Sequence, residues 1–339
     1  MIWCADMSCC GAVEHKTASF PPVPDRVVAT YDTFENAQGL KLQTFRFEKK
    51  NASPVGLVWL CHGYSGHSTC SWFLPSAPGL PHEQFDGGIL ANLVDSGYVV
   101  GTLDHQSHGH SEGLRGLRCY FDAFDDLPKE ALACLDMFQA DTRLSGLPTF
   151  ALGISMGGAC AVRMSQLRPT LFRGVVLLAP MLSLENIQST KVLLCITNGH
   201  MARFVSWLDY ISPALPVGKK AQNTMFPDSQ KELEDDPLVY HGDIRVRPAK
   251  CNLDLCSWFM NGGLEEMTTA FLTIHAAKDT FVDPAGSQAL LDRASSTDKT
   301  YVRVGTGLDI DVDMWHGLTF EPGCELVMEH AIKWIQKRT

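Results

Sequence analysis

Ser155 lies in Gly153-Ile154-Ser155-Met156-Gly157, and Gly158 follows at once. The apolar run Thr149–Leu152 before it is long enough for a buried strand, and Gly158–Gln166, small and apolar, reads as a helix. Strand, G-x-S-x-G, helix is the layout of a nucleophile elbow, which lifts the serine hydroxyl above a sheet. So sharp a turn strains the serine backbone and leaves no room for side chains two positions to either side, hence the glycines. It also aims the first free N–H groups of the helix at an incoming oxygen. The plainer alternative is a glycine-rich turn whose serine caps the helix; the flanking strand and helix weigh against it.

A serine hydroxyl is a poor nucleophile and needs a base, and the base needs an orienting acid. On a parallel α/β sheet these should follow in the order serine, acid, histidine, each at the C-terminal end of a strand. After the run Phe271–His275 comes a loop holding Asp279 and Asp283. Asp279 is nearer the strand end and is the preferred acid; Asp283 precedes Pro284 and better suits a helix cap. After Thr300–Val304 comes Asp313-Met314-Trp315-His316-Gly317, which makes His316 the base. His330 falls within a helical pattern and reads as a surface or packed residue. The developing oxyanion needs two backbone donors. One is expected from Met156 N–H, the other from Tyr64 N–H in the loop His62-Gly63-Tyr64 after Val55–Cys61.

Two rival chemistries deserve weighing. Asp104 with His105-x2-His108-x-His110 superficially resembles a metal-ligand run, so a metallohydrolase using His105, His108 and His110 is a distant alternative. A binding protein that kept the fold and lost turnover is another. The serine chemistry itself calls for no cofactor and no metal.

The elements that would position these groups alternate. Arg26–Thr33 and Leu40–Phe47 read as two strands joined at Asn36–Gly39, and Val55–Cys61 as a central strand covered on both faces. A helix is expected at Ile89–Ser96, a strand at Tyr98–Leu103, a long helix at Phe121–Asp141 with Leu127, Ala131, Leu135 and Phe138 on one face, and a strand at Gly174–Leu178. Residues 179–258 break the alternation, with helices around 184–196 and 201–211, and read as an inserted cap. Phe271–His275 restarts the sheet, followed by the helix Pro284–Ser295, the strand Thr300–Val304 and the closing helix Glu325–Lys337. The prediction is an irregular arm over 1–25, and then an α/β-hydrolase core in two parts, 26–178 and 259–339, around the cap. Its sheet is mostly parallel and flanked by helices.

The totals agree. The chain has 339 residues, 45% of them hydrophobic and 19% charged, which suits one large folded domain. A formal charge of −10 without a basic stripe argues against nucleic acid. Of twelve cysteines, Cys61, Cys134 and Cys160 fall inside apolar patterns, as expected of reduced, buried thiols in a cytosolic protein. The N-terminus has no positive region followed by an apolar core, so no signal peptide is expected, and Cys4, Cys9 and Cys10 are expected as free surface cysteines.

Taken together, GISMGG, CHGYSGHS, DHQSHGHSEG, HAAKDTFVDP and MWHGLTFEP resemble the monoacylglycerol lipase and lysophospholipase group of α/β-hydrolases, of the serine-aminopeptidase-like superfamily, from about Thr30 to Trp334. The resemblance implies a Ser155–Asp279–His316 triad, an oxyanion hole at Tyr64 and Met156, a mobile cap over an acyl tunnel and hydrolysis of a single-chain acyl ester. Mammalian-type members carry a Glu and an Arg in the oxyanion loop, where Gly66 and Cys70 stand here. The segment Val304–Met314 is also longer than the usual few residues before the histidine. The expected activity is cleavage of monoacylglycerol to fatty acid and glycerol, with lysophospholipid or a broad range of carboxylic esters as the alternative. Apolar residues in excess of packing needs in the cap, among them Leu193, Phe204 and Trp207, predict peripheral contact with a membrane surface.

Overall fold

In the computed structural model, residues 20–185, 208–219 and 221–339 are described. Eight strands form the main sheet: β1 (Val27–Glu35), β2 (Lys41–Lys49), β3 (Gly56–Cys61), β4 (Tyr98–Leu103), β5 (Thr149–Ile154), β6 (Gly174–Leu178), β7 (Phe271–Ala276) and β8 (Lys299–Val304). Their order across the sheet is β1-β2-β4-β3-β5-β6-β7-β8. β1 pairs antiparallel with β2, and β2 antiparallel with β4. Every later pairing is parallel. This is the α/β-hydrolase arrangement that the strand–helix alternation predicted.

The central strands carry continuous apolar runs because both faces are covered. Along β3, Leu57, Trp59 and Cys61 face one core layer. Val58 and Leu60 face the other. The first layer is closed by α2 (Asp126–Gln139), α3 (Met156–Leu167), α5 (Val246–Met260) and α6 (Ala285–Arg293). The second is closed by α1 (Ile89–Asp95) and α7 (Cys324–Gln336). Each helix buries one apolar stripe. In α2 this comprises Leu127, Ala131, Leu135 and Phe138, the face expected from their spacing.

The sequence pattern placed the start of α2 at Phe121, whereas it begins at Asp126. The proline at 128 explains the difference, since its ring tolerates only the first turn of a helix. Phe121 and Phe124 are buried all the same, carried by turns rather than by helix.

Between β6 and β7 the described residues include α4 (Pro227–Glu234), α5 and a short pairing of Pro216–Gly218 with Ile244–Arg245. α5 sends Leu255 and Phe259 into the first core layer. The helices expected over 184–196 and 201–211 fall for the most part outside the described residues, as do Cys4, Cys9 and Cys10. Among the described residues, no helix is long and apolar enough to cross a membrane. Cys61, Cys134 and Cys160 are free thiols sealed in the core.

Candidate active site

β5 ends on Ile154 and α3 starts on Met156, so Ser155 alone makes the turn, with φ 55° and ψ −120°. That backbone is costly for a residue with a Cβ and persists only where neighbours over-determine it. Here Ser155 N–H donates to Leu178 O at 3.0 Å, and Met181 N–H donates to Ser155 O at 2.9 Å. The glycines are steric necessities. A Cβ at Gly153 would stand 2.1 Å from Gly157 O, and one at Gly157 would stand 1.9 Å from Cys61 O. The third glycine of the run is required as well, because a Cβ at Gly158 would stand 2.7 Å from the Pro180 side chain.

Met156 is the first helical residue, so its N–H is among those that α3 cannot satisfy. The loop after β3 approaches from the other side. A Cβ on Gly63 would touch the Ser155 Cβ at 3.4 Å, which places the backbone just before Tyr64 against the serine. His62 braces this loop. Its Nε2 accepts from His105 N–H at 2.9 Å, and its Nδ1–H donates to Gly63 O at 2.9 Å. Complete burial pushes the His62 imidazole down to about 4, so the ring is neutral and both nitrogens have fixed roles.

Asp279 and His316 meet. His316 Nδ1–H donates to Asp279 Oδ2 at 2.7 Å. Asp279 Oδ1 accepts from Phe281 N–H at 2.7 Å and Val282 N–H at 2.9 Å. Burial by itself would raise the Asp279 carboxyl; the facing His316, with hydrogen bonds from His275 and His316, outweighs it and holds the group well below its usual range. For His316 the balance runs the other way. Burial alone would lower the imidazole, but the charge of Asp279, its hydrogen bond and the nearby Glu321 raise it above 6.5. Asp283 takes no part: its Oδ1 accepts from Ala285 N–H at 2.9 Å from the position before Pro284, and Pro284 rather than Asp283 is the N-cap of α6. His330 is exposed on α7.

Ser155 and His316 line one cavity of about 490 Å³, together with Tyr64, Gly66, Cys70 and Phe281. Its far wall is the stretch 221–243, which brings Gln222, Gln230 and Glu234. Buried imidazole–carboxylate pairs pin that wall to the core: His67 Nε2 with Asp236 Oδ2 at 2.9 Å, and His82 Nε2 with Glu232 Oε2 at 3.2 Å. The chemistry available is a hydroxyl and a carboxylate-oriented imidazole lining one cavity, with backbone N–H groups on two sides of the serine.

The histidine run does other work. Asp104 accepts from Ser68 N–H at 2.7 Å and His110 N–H at 2.8 Å, while His105 and His108 pack around His62. His105, His108 and His110 do not converge as one ligand set. Among the described residues, the compact groups of ligating side chains are Cys61–His105–Cys160 and His67–Cys70–Asp236.

Sequence reasoning missed three contributors. His275 Nε2–H donates to Asp279 Oδ2 at 3.1 Å, and its Nδ1 accepts from Ser287 Oγ at 2.7 Å. Glu321 gathers the backbone around His316, and Asn223 reaches Glu321 from the far wall. His275 was visible as the last residue of an apolar strand, and Glu321 as a carboxylate five residues after the histidine, but neither signal names a partner. The segment Val304–Met314 folds back on β8. Ile310 N–H donates to Arg303 O at 3.1 Å, and Asp313 pairs with Lys278, next to Asp279, at 2.6 Å.

Comparison with known proteins gives the family and the fold. The profile of the family described as serine aminopeptidase, S33, matches residues 52–323. The chain is 28% identical to the monoglyceride lipase of Homo sapiens over 301 residues, covering 87% of this chain and 86% of that protein. It is 27% identical to the caffeoylshikimate esterase of Arabidopsis thaliana over 314 residues, covering 90% and 84%. A soluble variant of monoglyceride lipase from Saccharomyces cerevisiae, solved with a substrate analog, superposes with a TM-score of 0.71 at 16% identity, covering 95% of this chain and 99% of that one.

The steric account of the elbow is open to direct measurement. Gly157→Ala should destabilise the fold by about 3 kcal/mol or more in urea unfolding, the upper range for overpacking. Gly218→Ala, where a Cβ meets nothing within 4 Å, should leave the unfolding midpoint unchanged. Equal stability of the two variants would contradict the account.

Proposed function

The chain belongs to the serine aminopeptidase S33 family, and from that premise we propose that it cleaves carboxylic esters of single-chain lipids, monoacylglycerol first among them, through an acyl-enzyme on Ser155. The observation that carries this reading is the Asp279–His316 hydrogen bond at the rim of the cavity that Ser155 lines. Relatives named monoglyceride lipase support the substrate class.

In this reading His316 Nε2 takes the proton of Ser155 Oγ as the oxygen attacks the ester carbonyl. The N–H groups of Tyr64 and Met156 hold the oxyanion, acting on charge that exists only in the transition state. His316 then protonates the leaving alcohol, and water repeats the sequence on the acyl-enzyme. Asp279 fixes the tautomer that leaves Nε2 free to accept. The stretch 221–243 serves as the part of the cap that faces the substrate.

A second reading, lysophospholipid or broad ester hydrolysis, draws on Gly66 and Cys70. Both line the cavity, at the positions where mammalian-type members carry a Glu and an Arg. Selection of the alcohol then falls to the polar far wall, with Gln222, Gln230 and Glu234, which suits a hydroxylated head group without fixing it as glycerol.

A hydrolysis panel of monoacylglycerols, lysophospholipids and short p-nitrophenyl esters should show monoacylglycerol with the highest kcat/KM. Ser155→Ala should lower turnover on every active member by at least about 10⁴-fold with the fold intact. Survival of activity in that variant would remove the assignment.

The base must be neutral to accept a proton, and His316 is raised above its ordinary 6.5. The acid limb of kcat/KM for a soluble ester should therefore have its midpoint above that value, activity falling as pH drops through it. A midpoint below 6.5 would contradict the site's electrostatics.

We also propose peripheral membrane contact. Tyr210 (90% exposed) and Ile211 (57% exposed), with Leu215, Val217 and Met225, hold apolar side chains in water near the cavity's far wall in sequence. The protein should float with neutral phosphatidylcholine vesicles, and a Tyr210→Glu, Ile211→Glu double variant should stay in the aqueous fraction. Absence of flotation by the unaltered protein would end this proposal.

A further inference from the structure

We propose that Glu321 is a positioning residue for His316, and that through Asn223 it ties the far wall of the cavity to the mount of that histidine. The proposal rests on the reading of His316 as the base. Glu321 is fully buried. Its Oε2 accepts from Trp315 N–H at 2.7 Å, while Oε1 accepts from His316 N–H at 3.2 Å, Gly317 N–H at 2.8 Å and Asn223 Nδ2–H at 2.8 Å.

A buried carboxylate without compensation is prohibitively costly, and here the compensation comes from four neutral N–H donors rather than from a cation. The requirement is reciprocal. Three consecutive backbone N–H groups can converge on one carboxylate only if the chain between them bends into a concave nest. That bend fixes the direction in which the His316 side chain leaves the backbone. The loop closes behind it, with Glu321 N–H donating to Gly317 O at 2.9 Å. A Cβ at Gly317 would stand 2.5 Å from the tip of the Phe320 ring, which would have to turn aside.

Two buried carboxylates thus share the histidine. Asp279 sets the ring's tautomer and rotation, and Glu321 sets the backbone from which the ring hangs. The charged and titratable groups facing His316 are Asp279, with His275 behind it, and Glu321; the Lys278–Asp313 pair lies outside them. Glu321 and Asp279 act on the imidazole in the same direction. The fourth donor sets this carboxylate apart from an ordinary loop staple. Asn223 lies on the stretch that walls the cavity, so the contact that seats the wall also completes the histidine's support.

The test is active-site titration of the full chain with a fluorophosphonate, followed by kcat per labelled Ser155 on p-nitrophenyl butyrate. Glu321→Gln keeps the shape but turns one acceptor into a donor aimed at N–H groups. It should lower kcat per labelled site about 10²-fold, the penalty of a misplaced catalytic group. KM should stay within about twofold, and the acid limb of kcat/KM should move to lower pH. A loss of folding alone would reduce the number of labelled sites and leave kcat per site and the limb where they were; that result overturns the proposal. Should Glu321→Gln fail to fold, Asn223→Ala decides: it removes one donor and should lower kcat per site about fivefold, the worth of one hydrogen bond. An unchanged value overturns the inference. No labelling of Ser155 in the unaltered protein overturns the esterase reading and this inference together, whereas normal labelling with indifferent variants overturns this inference alone.

Discussion

The carbonyl oxygen of Cys61 occupies the space that any side chain at position 157 would need, 1.9 Å from where its Cβ would lie. On this contact the geometry of the site depends. Cys61 is the last residue of β3 and pairs with Gly153 of β5. α3 can begin directly above the neighbouring strand only because Gly157 presents bare backbone to it. The seating brings the loop after β3 against Ser155 and makes the backbone donors of both loops neighbours. Sheet order is therefore not background to the site: had β3 and β5 been separated by another strand, no sequence of the elbow alone could have brought the loop after β3 to the serine.

The second recurring device is the buried carboxylate satisfied by N–H groups. Asp104 ties the loop after β4 to the one after β3 through Ser68 N–H and His110 N–H. Asp279 collects two backbone N–H groups and two imidazoles. Glu321 collects three backbone N–H groups and an amide. All three lie in loops at the C-terminal edge of the parallel strands, where irregular backbone would otherwise leave donors unpaired at about 1–3 kcal/mol each. A carboxylate that accepts several N–H groups fixes the loop in one conformation. Aliphatic packing, being non-directional, would not.

These devices also explain what could be read from the sequence and what could not. The elbow was legible because its steric demands are local: strand, glycine, serine, glycine and helix are consecutive. The order of Ser155, Asp279 and His316 was legible because each follows a recognisable strand, two of them buried apolar runs and the third the partly exposed edge strand β8, and the choice of Asp279 over Asp283 followed from distance to the strand end and the proline after Asp283. His275, Glu321 and Asn223 were not legible, since their partners are set by loops that adjoin only in the folded chain. The histidine run 105–110 was ambiguous for the same reason. Spacing alone does not distinguish converging ligands from a wedge of neutral rings packed on His62. The start of α2 was misplaced because the apolar pattern continues upstream of Pro128 through residues buried without being helical.

The wall of the cavity is held by a different kind of force from the core. α4 buries Ser229 and Glu232 rather than an apolar stripe. Its docking rests on Glu232 with His82, on Asp236 with His67, and on Asn223 with Glu321. Burial alone would lower the His67 imidazole, yet Cys70 and Asp236 together raise it; on Asp236 burial is the largest single effect and would raise the carboxyl, but the hydrogen bond and charge of His67, with Leu238 N–H and His82, together lower it. Such contacts are directional and specify one seated position. They also bury little hydrocarbon, so separating the wall from the core would forfeit little hydrophobic free energy and would return the polar partners to water. The strands and their covering helices have no comparable route apart, because their contacts are apolar on both faces. The molecule thus combines a sheet that fixes Ser155, Asp279 and His316 with a cavity wall whose seat is defined by polar geometry.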